Sequence, residues 1–255
     1  MMINIEIDGK KVKVRENSYI LEVARKLGIE IPAICWHPGL EPYGACRLCL
    51  VEVEKSGRKR MVTSCNYPVE EGLIIKTNTH DVLRTRRIII ELLLARCSSN
   101  KKIVELAEKF GVSGSRFGYG NDDCILCGLC VRVCKDIIKK EAIGFSGRGI
   151  SRKVSSPFEK TPEECIGCGS CAYVCPTGAI KIIDTEKSRK IEGINCEIPF
   201  VFCRYCGAPV APLKQIESLK VKTNLPDDIF ETCTECKNKS YALKIMAQAK
   251  LGSKR

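Results

Sequence analysis

The sequence predicts an α+β protein assembled from several small modules, and three observations lead to this prediction. The chain has 255 residues, more than one compact domain usually needs. Its 18 cysteines recur with two-residue gaps. Alternating aliphatic residues at the N-terminus give way to a segment with helical spacing. We therefore expect four zones along the chain, at residues 1–80, 81–123, 124–185 and 196–255.

Hydropathy and the N-terminal sequence exclude several classes of protein. The longest apolar stretch, residues 88–95, is interrupted by Glu91 and is too short to span a bilayer. No basic region followed by an apolar one is visible at the N-terminus, so we expect no export signal. We expect a cytoplasmic protein without direct membrane insertion. In that reducing compartment, grouped cysteines indicate metal binding rather than disulfides.

The first zone begins with the pattern of a β-hairpin and continues with that of a helix. Aliphatic residues alternate on both sides of an Asp8-Gly9 turn, which predicts the hairpin. Apolar residues then recur at helical spacing from Ile20 to Leu27, and Gly28 is the expected stop. Two further strands are expected at residues 48–54 and 73–77.

Four cysteines in this zone predict a [2Fe–2S] site. They follow the predicted helix with gaps of ten, two and fifteen residues, at Cys35, Cys46, Cys49 and Cys65. A β-grasp ferredoxin carries its cluster loop at this point, and four thiolates from one long loop and one later residue suit that cluster. Cys35-Trp36-His37 is half of a Rieske motif, but the second half needs a histidine shortly after Cys49, where Glu52 and Val53 stand instead. We expect His37 to make a structural hydrogen bond and Trp36 to pack against the cluster loop.

The second zone is expected to be a helical linker. Helical spacing predicts one helix over residues 81–95 and another over residues 102–110. Residues 113–123 are rich in Gly, Ser and Asn, a composition typical of a loop. His80, which precedes the first helix, is expected to be a surface or helix-start residue.

The third zone holds two runs of four cysteines with identical spacing. In each run the gaps are two, two and three residues, the spacing of bacterial ferredoxins with two clusters. There, three close cysteines bind one cubane and the fourth binds the other. A pair of zinc sites is disfavoured, because zinc needs four ligands rather than two interlocking sets. We predict one [4Fe–4S] cluster on Cys124, Cys127, Cys130 and Cys175, and a second on Cys134, Cys165, Cys168 and Cys171.

Two cations lie in and next to the first run, at Arg132 and Lys135. A reduced cluster is more negative than an oxidised one, so nearby positive charge favours it. We therefore expect that neutralising either residue changes the reduction potentials of the two [4Fe–4S] clusters.

The fourth zone contains two Cys-x-x-Cys pairs separated by 26 residues, Cys203 with Cys206 and Cys233 with Cys236. Two such pairs predict a zinc-ribbon-like module in which a structural zinc ion has four thiolate ligands. A further iron–sulfur cluster is the alternative occupant. A closing helix is expected over residues 239–251. Cys196 lies outside the pairs, as a spare thiol or a replacement ligand.

The formal net charge of +12 is a feature of many nucleic-acid-binding proteins. That charge counts every cysteine as a neutral thiol, whereas metal-bound cysteines are thiolates. An oxidised four-cysteine cluster carries about −2, so three clusters would lower the net charge to about +6. A four-cysteine zinc site would lower it to about +4. The remaining excess is ordinary, and a nucleic-acid-binding zinc protein is kept as the alternative function.

Two segments of the first zone resemble a known family: PAICWHP at 32–38 and GACRLCLVEV at 44–53. They are similar to the N-terminus of the large iron–sulfur subunit of NADH dehydrogenase complex I. They are equally similar to the diaphorase small subunit of NAD-linked nickel–iron hydrogenases and to the front domains of multi-cluster iron-only hydrogenases. The resemblance extends to about residue 183.

One departure from this family lies between the two middle helices. The family usually has one histidine and three cysteines there, which bind one more [4Fe–4S] cluster. Here that segment offers only Cys97. We expect that this cluster is absent and that Cys97 is an ordinary buried thiol.

No motif for catalysis or for nucleotide binding is visible in the sequence. It has no glycine-rich dinucleotide or phosphate loop, and its two histidines offer no nucleophile triad. We therefore expect a non-catalytic subunit that passes single electrons between its clusters. The resemblance implies a flavin-containing, NAD(P)H-oxidising subunit on one side. On the other it implies a catalytic subunit, as in a hydrogenase, formate dehydrogenase or electron-bifurcating complex, or a soluble ferredoxin.

Overall fold

The N-terminal part of the protein is a five-stranded mixed sheet with one helix. A computed structural model describes residues 1–252, with side chains for residues 1–243, 245 and 246. The first elements are β1 (Met2–Ile7), β2 (Lys10–Arg15), α1 (Ile20–Lys26), β3 (Leu50–Lys55), β4 (Arg58–Thr63) and β5 (Ile74–Lys76). The strand order is β2-β1-β5-β3-β4, in which β1 and β5 are parallel and the other neighbours antiparallel.

The predicted hairpin, helix and two strands of this sheet are confirmed, but β4 was not predicted. Its first residues, Arg58 to Arg60, are exposed. They form an edge strand, where charged side chains discourage pairing with other chains. Because these residues are charged, they lack the alternation of apolar and polar residues that predicts a strand.

Alternation along β1 explains how the sheet buries one face. The three isoleucines of β1 face inward, because successive side chains of a strand point to opposite sides. They pack with Ile20 and Leu21 of α1. Cys49 and Cys65 belong to the same core. The sheet and its helix thus hold two of the predicted ligands directly.

Two helices follow the sheet, α2 (His80–Arg96) and α3 (Lys101–Lys109). Both were predicted, and both are confirmed. The Thr79 hydroxyl caps α2 by accepting a hydrogen bond from the backbone N–H of Val82 at 3.4 Å. The apolar faces of both helices pack in one core with cysteines of two predicted cluster sites.

Residues 124–180 form two short helices, each of which lies within a cysteine run. The helices are α4 (Leu129–Arg132), which continues into a π-helical turn at Val133–Ile137, and α5 (Ser170–Tyr173). Between them lie a hairpin of β6 (Gly144–Ser146) and β7 (Lys153–Ser155) and two 3₁₀ turns at Gly149–Ser151 and Pro157–Glu159. Gly128 and Gly169 precede the helices with φ of +74° and +75°, a conformation that favours glycine.

A C-terminal sheet joins two zones that the sequence separates. It consists of β8 (Lys181–Asp184), β9 (Ser188–Glu192), β10 (Cys196–Phe202) and β11 (Pro209–Pro212). The order is β11-β10-β9-β8, with antiparallel neighbours. Ile191 and Ile198 of this sheet are buried beside cluster-site cysteines. The interval between residues 185 and 196, expected as a boundary, therefore lies inside one sheet.

Three helices follow this sheet, α6 (Leu213–Lys222), α7 (Asp227–Phe230) and α8 (Thr234–Gly252). The predicted closing helix is confirmed, although α8 begins directly after Cys233 rather than at residue 239. Residues 253–255 of the expected module lie outside the described residues. Within residues 1–252, no helix has the length and apolar character that crossing a membrane requires.

Candidate metal centres

The four N-terminal cysteines lie together as two buried pairs. In the first pair, the backbone N–H of Cys46 donates to Cys35 Sγ at 3.4 Å. A side-chain hydrogen bond from Cys46 lowers the pKa of Cys35 to about 6. In the second pair, a side-chain hydrogen bond from Cys65 lowers the pKa of Cys49 to about 7. Each iron of a [2Fe–2S] cluster takes two thiolates, so two pairs of buried cysteines fit that group.

Arg86 of α2 fixes the loop that carries these cysteines. Its buried guanidinium donates from Nε to the Leu48 carbonyl at 3.1 Å and from Nη2 to the Leu50 carbonyl at 2.6 Å. Burial lowers the pKa of Arg86, but an arginine remains charged near neutral pH. Sequence analysis missed this residue. Its place in the buried stripe of α2, four residues before Ile90, was the available signal.

Cysteines from both runs meet around a first cavity in the central zone. The cavity has a volume of about 290 Å³. The loop curves around it because Leu126 and Gly128 both have positive φ, at +54° and +74°. The backbone N–H of Leu126 donates to Cys124 Sγ at 3.4 Å, as the amides of a cluster loop do toward a thiolate. The cysteines that line this cavity are Cys124, Cys127, Cys130 and Cys175.

A second, narrower cavity has the complementary set of cysteines. It is lined by Cys134, Cys165, Cys168 and Cys171. Cys134 comes from the first run, and the other three come from the second. The structure therefore brings together the two interlocking sets that the spacing suggests, and each set fits a cluster in which every iron takes one thiolate.

Cys196 lies against this second set. It is buried in the same core as Cys165 and Cys171. The Cys196 thiol donates a side-chain hydrogen bond to Cys165, which raises the pKa of Cys196. Sequence analysis left the role of Cys196 open between a spare thiol and a replacement ligand. The structure places it next to a predicted ligand.

The remaining predicted residues behave as loop and helix residues. His37 Nδ1 accepts a hydrogen bond from the backbone N–H of Gly39 at 3.1 Å, the structural role expected for it. Trp36 packs against the N-terminal core and lies under the guanidinium of Arg25, 4.1 Å from the ring centre. His80 is exposed at the start of α2. Cys97 is fully buried, and burial raises its pKa to about 12.

The C-terminal cysteines gather more tightly than the cluster sets. The Sγ atoms of Cys203, Cys206, Cys233 and Cys236 all lie within 4.8 Å of one another. Among the described residues, this is the one group of three or more Cys, His, Asp or Glu side chains drawn close enough to hold a single metal ion. The Cys206 and Cys233 sulfurs are 3.6 Å apart. A tetrahedral ion with Zn–S bonds of about 2.3 Å requires a separation of about 3.8 Å.

Packing connects the three cluster sites in a fixed order. Cys35 and Cys46 of the first site share a core with Cys127 of the 290 Å³ cavity. Cys130 of that cavity shares a second core with Cys165 of the narrower cavity. None of the three hydrophobic cores in residues 1–252 contains a C-terminal site cysteine.

Arginines from neighbouring elements donate to backbone carbonyls of all three cluster sites. Sequence analysis treated the excess positive charge as ordinary, whereas these three arginines and Arg86 hold the loops that carry the predicted ligands. The donors and acceptors are Arg132 Nη2 with Cys35 O (3.1 Å), Arg96 Nε with Cys124 O (2.6 Å) and Arg189 Nη1 with Gly167 O (3.1 Å).

Two family models match this chain. A 2Fe-2S iron-sulfur cluster binding domain matches residues 1–80, and a 4Fe-4S dicluster domain matches residues 123–180. These matches and the mixed helix and sheet content confirm the α+β fold class with its two ferredoxin-type domains.

Curated relatives match 70% of this chain. The NADP-reducing hydrogenase subunit HndD of Solidesulfovibrio fructosivorans is 34% identical over 212 residues, which is 36% of that protein. The NADPH-Fe(3+) oxidoreductase subunit alpha of Geobacter sulfurreducens is 32% identical over 204 residues, or 24% of its length. An NADH-quinone oxidoreductase subunit of Rickettsia prowazekii is 31% identical over 204 residues, or 30% of its length. The chain thus spans about a quarter to a third of these relatives.

A solved structure is similar over a larger share of both chains. A chain of the NAD+-reducing [NiFe]-hydrogenase in the H2-reduced state aligns with a TM-score of 0.54 and 25% identity, covering 80% of this chain and 88% of that one. The protein therefore contains a 2Fe-2S iron-sulfur cluster binding domain followed by a 4Fe-4S dicluster domain, and its resemblance to subunits of NADH dehydrogenases and NAD(P)-linked hydrogenases is confirmed.

Proposed function

We propose that this chain is a non-catalytic electron-transfer subunit of a larger, NAD(P)-linked oxidoreductase. The observation that carries the proposal is the continuous packing of the three cluster sites. Cys127 shares a core with two [2Fe–2S] cysteines, Cys35 and Cys46, and Cys130 shares a core with Cys165 and Cys171 of the second [4Fe–4S] set. Both residues line the 290 Å³ cavity, so the first [4Fe–4S] site stands between the other two.

Two cavities and two buried cysteine pairs support the ligand sets that we propose. We assign the [2Fe–2S] cluster to Cys35, Cys46, Cys49 and Cys65. We assign the first [4Fe–4S] cluster to Cys124, Cys127, Cys130 and Cys175, and the second to Cys134, Cys165, Cys168 and Cys171. The two cubanes then share no ligand, but each cysteine run contributes to both. This crossing keeps the clusters close together.

The role of the chain's own residues is to bind the clusters and to exclude water from them. When bound, each cluster accepts and releases one electron. Burial raises the pKa of Cys127 to about 11 and that of Cys171 to about 12. Before a cluster is loaded, these two thiols are therefore protonated at neutral pH, and cluster binding must release their protons. Cluster loading should accordingly weaken as the pH falls.

The C-terminal set is proposed to hold one structural zinc ion. Its four sulfurs lie within 4.8 Å of one another, which suits four ligands on one ion. In a cubane each thiolate binds a different iron, so its sulfurs stand further apart. The zinc ion would connect the β10–β11 turn to the start of α8. Those elements contribute Cys203 and Cys206 on one side and Cys233 and Cys236 on the other.

The partners are proposed from the relatives. The names of those relatives describe hydrogenase, NADPH-Fe(3+) oxidoreductase and NADH-quinone oxidoreductase subunits. A flavin-containing, NAD(P)H-oxidising subunit would exchange electrons with one end of the relay. A catalytic subunit, or a soluble ferredoxin, would exchange them with the other end. The proposed location of such a complex is the cytoplasm.

Metal analysis of the anaerobically purified chain tests the proposal. We expect about ten iron atoms and about one zinc ion per chain, from one [2Fe–2S] cluster, two [4Fe–4S] clusters and one four-cysteine site. Low-temperature EPR of the reduced protein should show all three clusters. A colourless protein that contains zinc alone, and that binds DNA in a salt-sensitive way, would instead support the nucleic-acid-binding alternative.

A further inference from the structure

We propose that Arg132 is a positioning residue that fixes the [2Fe–2S] ligand loop onto the dicluster domain and raises the reduction potential of the [2Fe–2S] cluster. The inference rests on the proposed function, because it takes Cys35 as a ligand of that cluster. It differs from the expectation drawn from the sequence, in which Arg132 acts on the two [4Fe–4S] clusters.

The guanidinium of Arg132 points away from the helix that carries it. Arg132 ends α4, between Cys130 and Cys134, yet its side chain contacts the N-terminal domain. Nη2 donates to the Cys35 carbonyl at 3.1 Å, and Nη1 donates to the Glu41 carbonyl. One arginine of the dicluster domain thus holds two points of the loop that leads from Cys35 to Cys46.

Two further observations describe the surroundings of this guanidinium. It lies over the ring of Tyr43 at 5.3 Å, so a third residue of the same loop is held. Its Nε is buried and has no hydrogen-bond partner within the described part of the chain. An unpaired buried donor is costly, and a cluster sulfur is an acceptor that would satisfy it.

The internal symmetry of the dicluster domain shows that its own fold does not require this arginine. Tyr173 occupies the same place in the second cysteine run, two residues after Cys171 as Arg132 is after Cys130. The backbone N–H of each residue donates to the glycine four positions earlier, at 3.0 Å for Arg132 and 3.1 Å for Tyr173. The side chain of Tyr173 is 85% exposed. The two positions therefore have the same backbone hydrogen bond, but the N-terminal domain packs against Arg132 whereas Tyr173 is exposed to solvent.

A cation that lies next to the backbone carbonyl of a cluster ligand attracts the negative charge of that cluster. Reduction adds one negative charge to the [2Fe–2S] cluster. The electrostatic attraction between the cluster and the partly buried guanidinium is therefore stronger after reduction, because little water screens the two charges from each other. Arg132 should therefore stabilise the reduced state. The guanidinium lies on the [2Fe–2S] side of α4, so its effect on the [4Fe–4S] clusters should be smaller.

EPR-monitored redox titration of the full-length, cluster-loaded chain tests this proposal. We expect Arg132→Gln to lower the equilibrium constant for reducing the [2Fe–2S] cluster about tenfold, which is about 59 mV for a one-electron couple. Arg132→Lys keeps the charge but loses the fork, so its potential should stay near that of the unmodified chain. Amide hydrogen exchange in residues 40–46 should nevertheless be faster in that variant. Tyr173→Gln, the matched control, should leave the [2Fe–2S] potential unchanged.

Two results would overturn the inference. One is an Arg132→Gln chain with full iron content and an unaltered [2Fe–2S] potential. The other is a larger potential shift at the [4Fe–4S] clusters than at the [2Fe–2S] cluster. If Arg132→Gln does not load iron, amide exchange in residues 40–46 of Arg132→Lys decides the positioning role, and exchange as slow as in the unmodified chain would overturn it. Failure of the proposed function itself would appear differently, as a missing [2Fe–2S] signal in the unmodified chain.

Discussion

The dicluster cysteines and the C-terminal cysteines use the same residue type in similar short motifs, yet they gather differently. The dicluster sets line two cavities, and each set draws residues from both runs. The C-terminal set draws four sulfurs within 4.8 Å of one another. The first [4Fe–4S] site also shares a hydrophobic core with the N-terminal domain, and the second shares a core with the first, whereas no C-terminal site cysteine belongs to a core within residues 1–252.

This difference shows what spacing alone leaves undecided. A Cys-x-x-Cys pair turns two sulfurs toward one point, whether that point holds one ion or a corner of a cluster. The number of metal atoms that four cysteines can bind depends on the distance between the sulfurs of one pair and the sulfurs of the other two cysteines. That distance is a property of the fold, and in the proposed function it distinguishes a structural zinc site from the clusters that relay electrons.

The largest effect is expected from removing a cysteine that one run contributes to the cluster of the other run. Cys175→Ser should remove the first [4Fe–4S] cluster, at a cost of about four iron atoms, while the second cluster remains. Cys134→Ser should do the reverse. Iron analysis and EPR distinguish the two losses. Cys97→Ser, a buried cysteine outside all the proposed sets, is the control and should keep every cluster. If Cys175→Ser removed the second cluster instead, the crossing would be wrong.

Removing a ligand from the C-terminal set should have the opposite metal signature. Cys206→Ser leaves three thiolates, so we expect loss of the zinc ion with no change in iron content. The segment after residue 203 should then become sensitive to limited proteolysis, because a structural zinc ion contributes directly to folding. Loss of iron together with the zinc would show that this site is a cluster, and the comparison would fail.

The sequence predicted the cysteine groups well because cluster ligation imposes local spacing. The two identical runs and the two C-terminal pairs are readable without any structure. The contacts by which four arginines hold the cluster loops were not predicted, although Arg132 itself was named for its charge. Arg132 and the Cys35 carbonyl are distant in sequence, and a contact with a carbonyl oxygen leaves no residue pattern to recognise.

The C-terminal sheet was missed for a related reason. Cys196 was treated as lying outside both the dicluster zone and the cysteine pairs. It begins β10, which extends the sheet started by β8 and β9. Strand pairing across a predicted boundary depends on the burial of Ile191 and Ile198 against cluster cysteines. Local sequence signals do not contain that information.

Glycines that follow cysteines provide a finer test of the two kinds of site. Gly169 follows Cys168 with φ of +75°, and an added Cβ would lie 2.3 Å from Cδ1 of Ile182. Left-handed strain costs about 1–2 kcal/mol. The exposed end of Ile182 must also turn aside, so Gly169→Ala should lower the free energy of unfolding by about 2–3 kcal/mol. The measurement is the thermal midpoint of the anaerobic, cluster-loaded chain. Ile182→Val removes the clashing Cδ1, so the double variant should regain part of the loss.

Gly207, which follows Cys206, should give the smallest effect. Its φ of +71° is also left-handed, but an added Cβ would meet nothing within 4 Å. Gly207→Ala should therefore cost about 1–2 kcal/mol, from backbone strain alone. Gly207→Asn should cost less, because asparagine tolerates this conformation. Zinc release to a coloured chelator measures both. A fall in the thermal midpoint as large as that of Gly169→Ala would contradict the open space that the structure shows around Gly207.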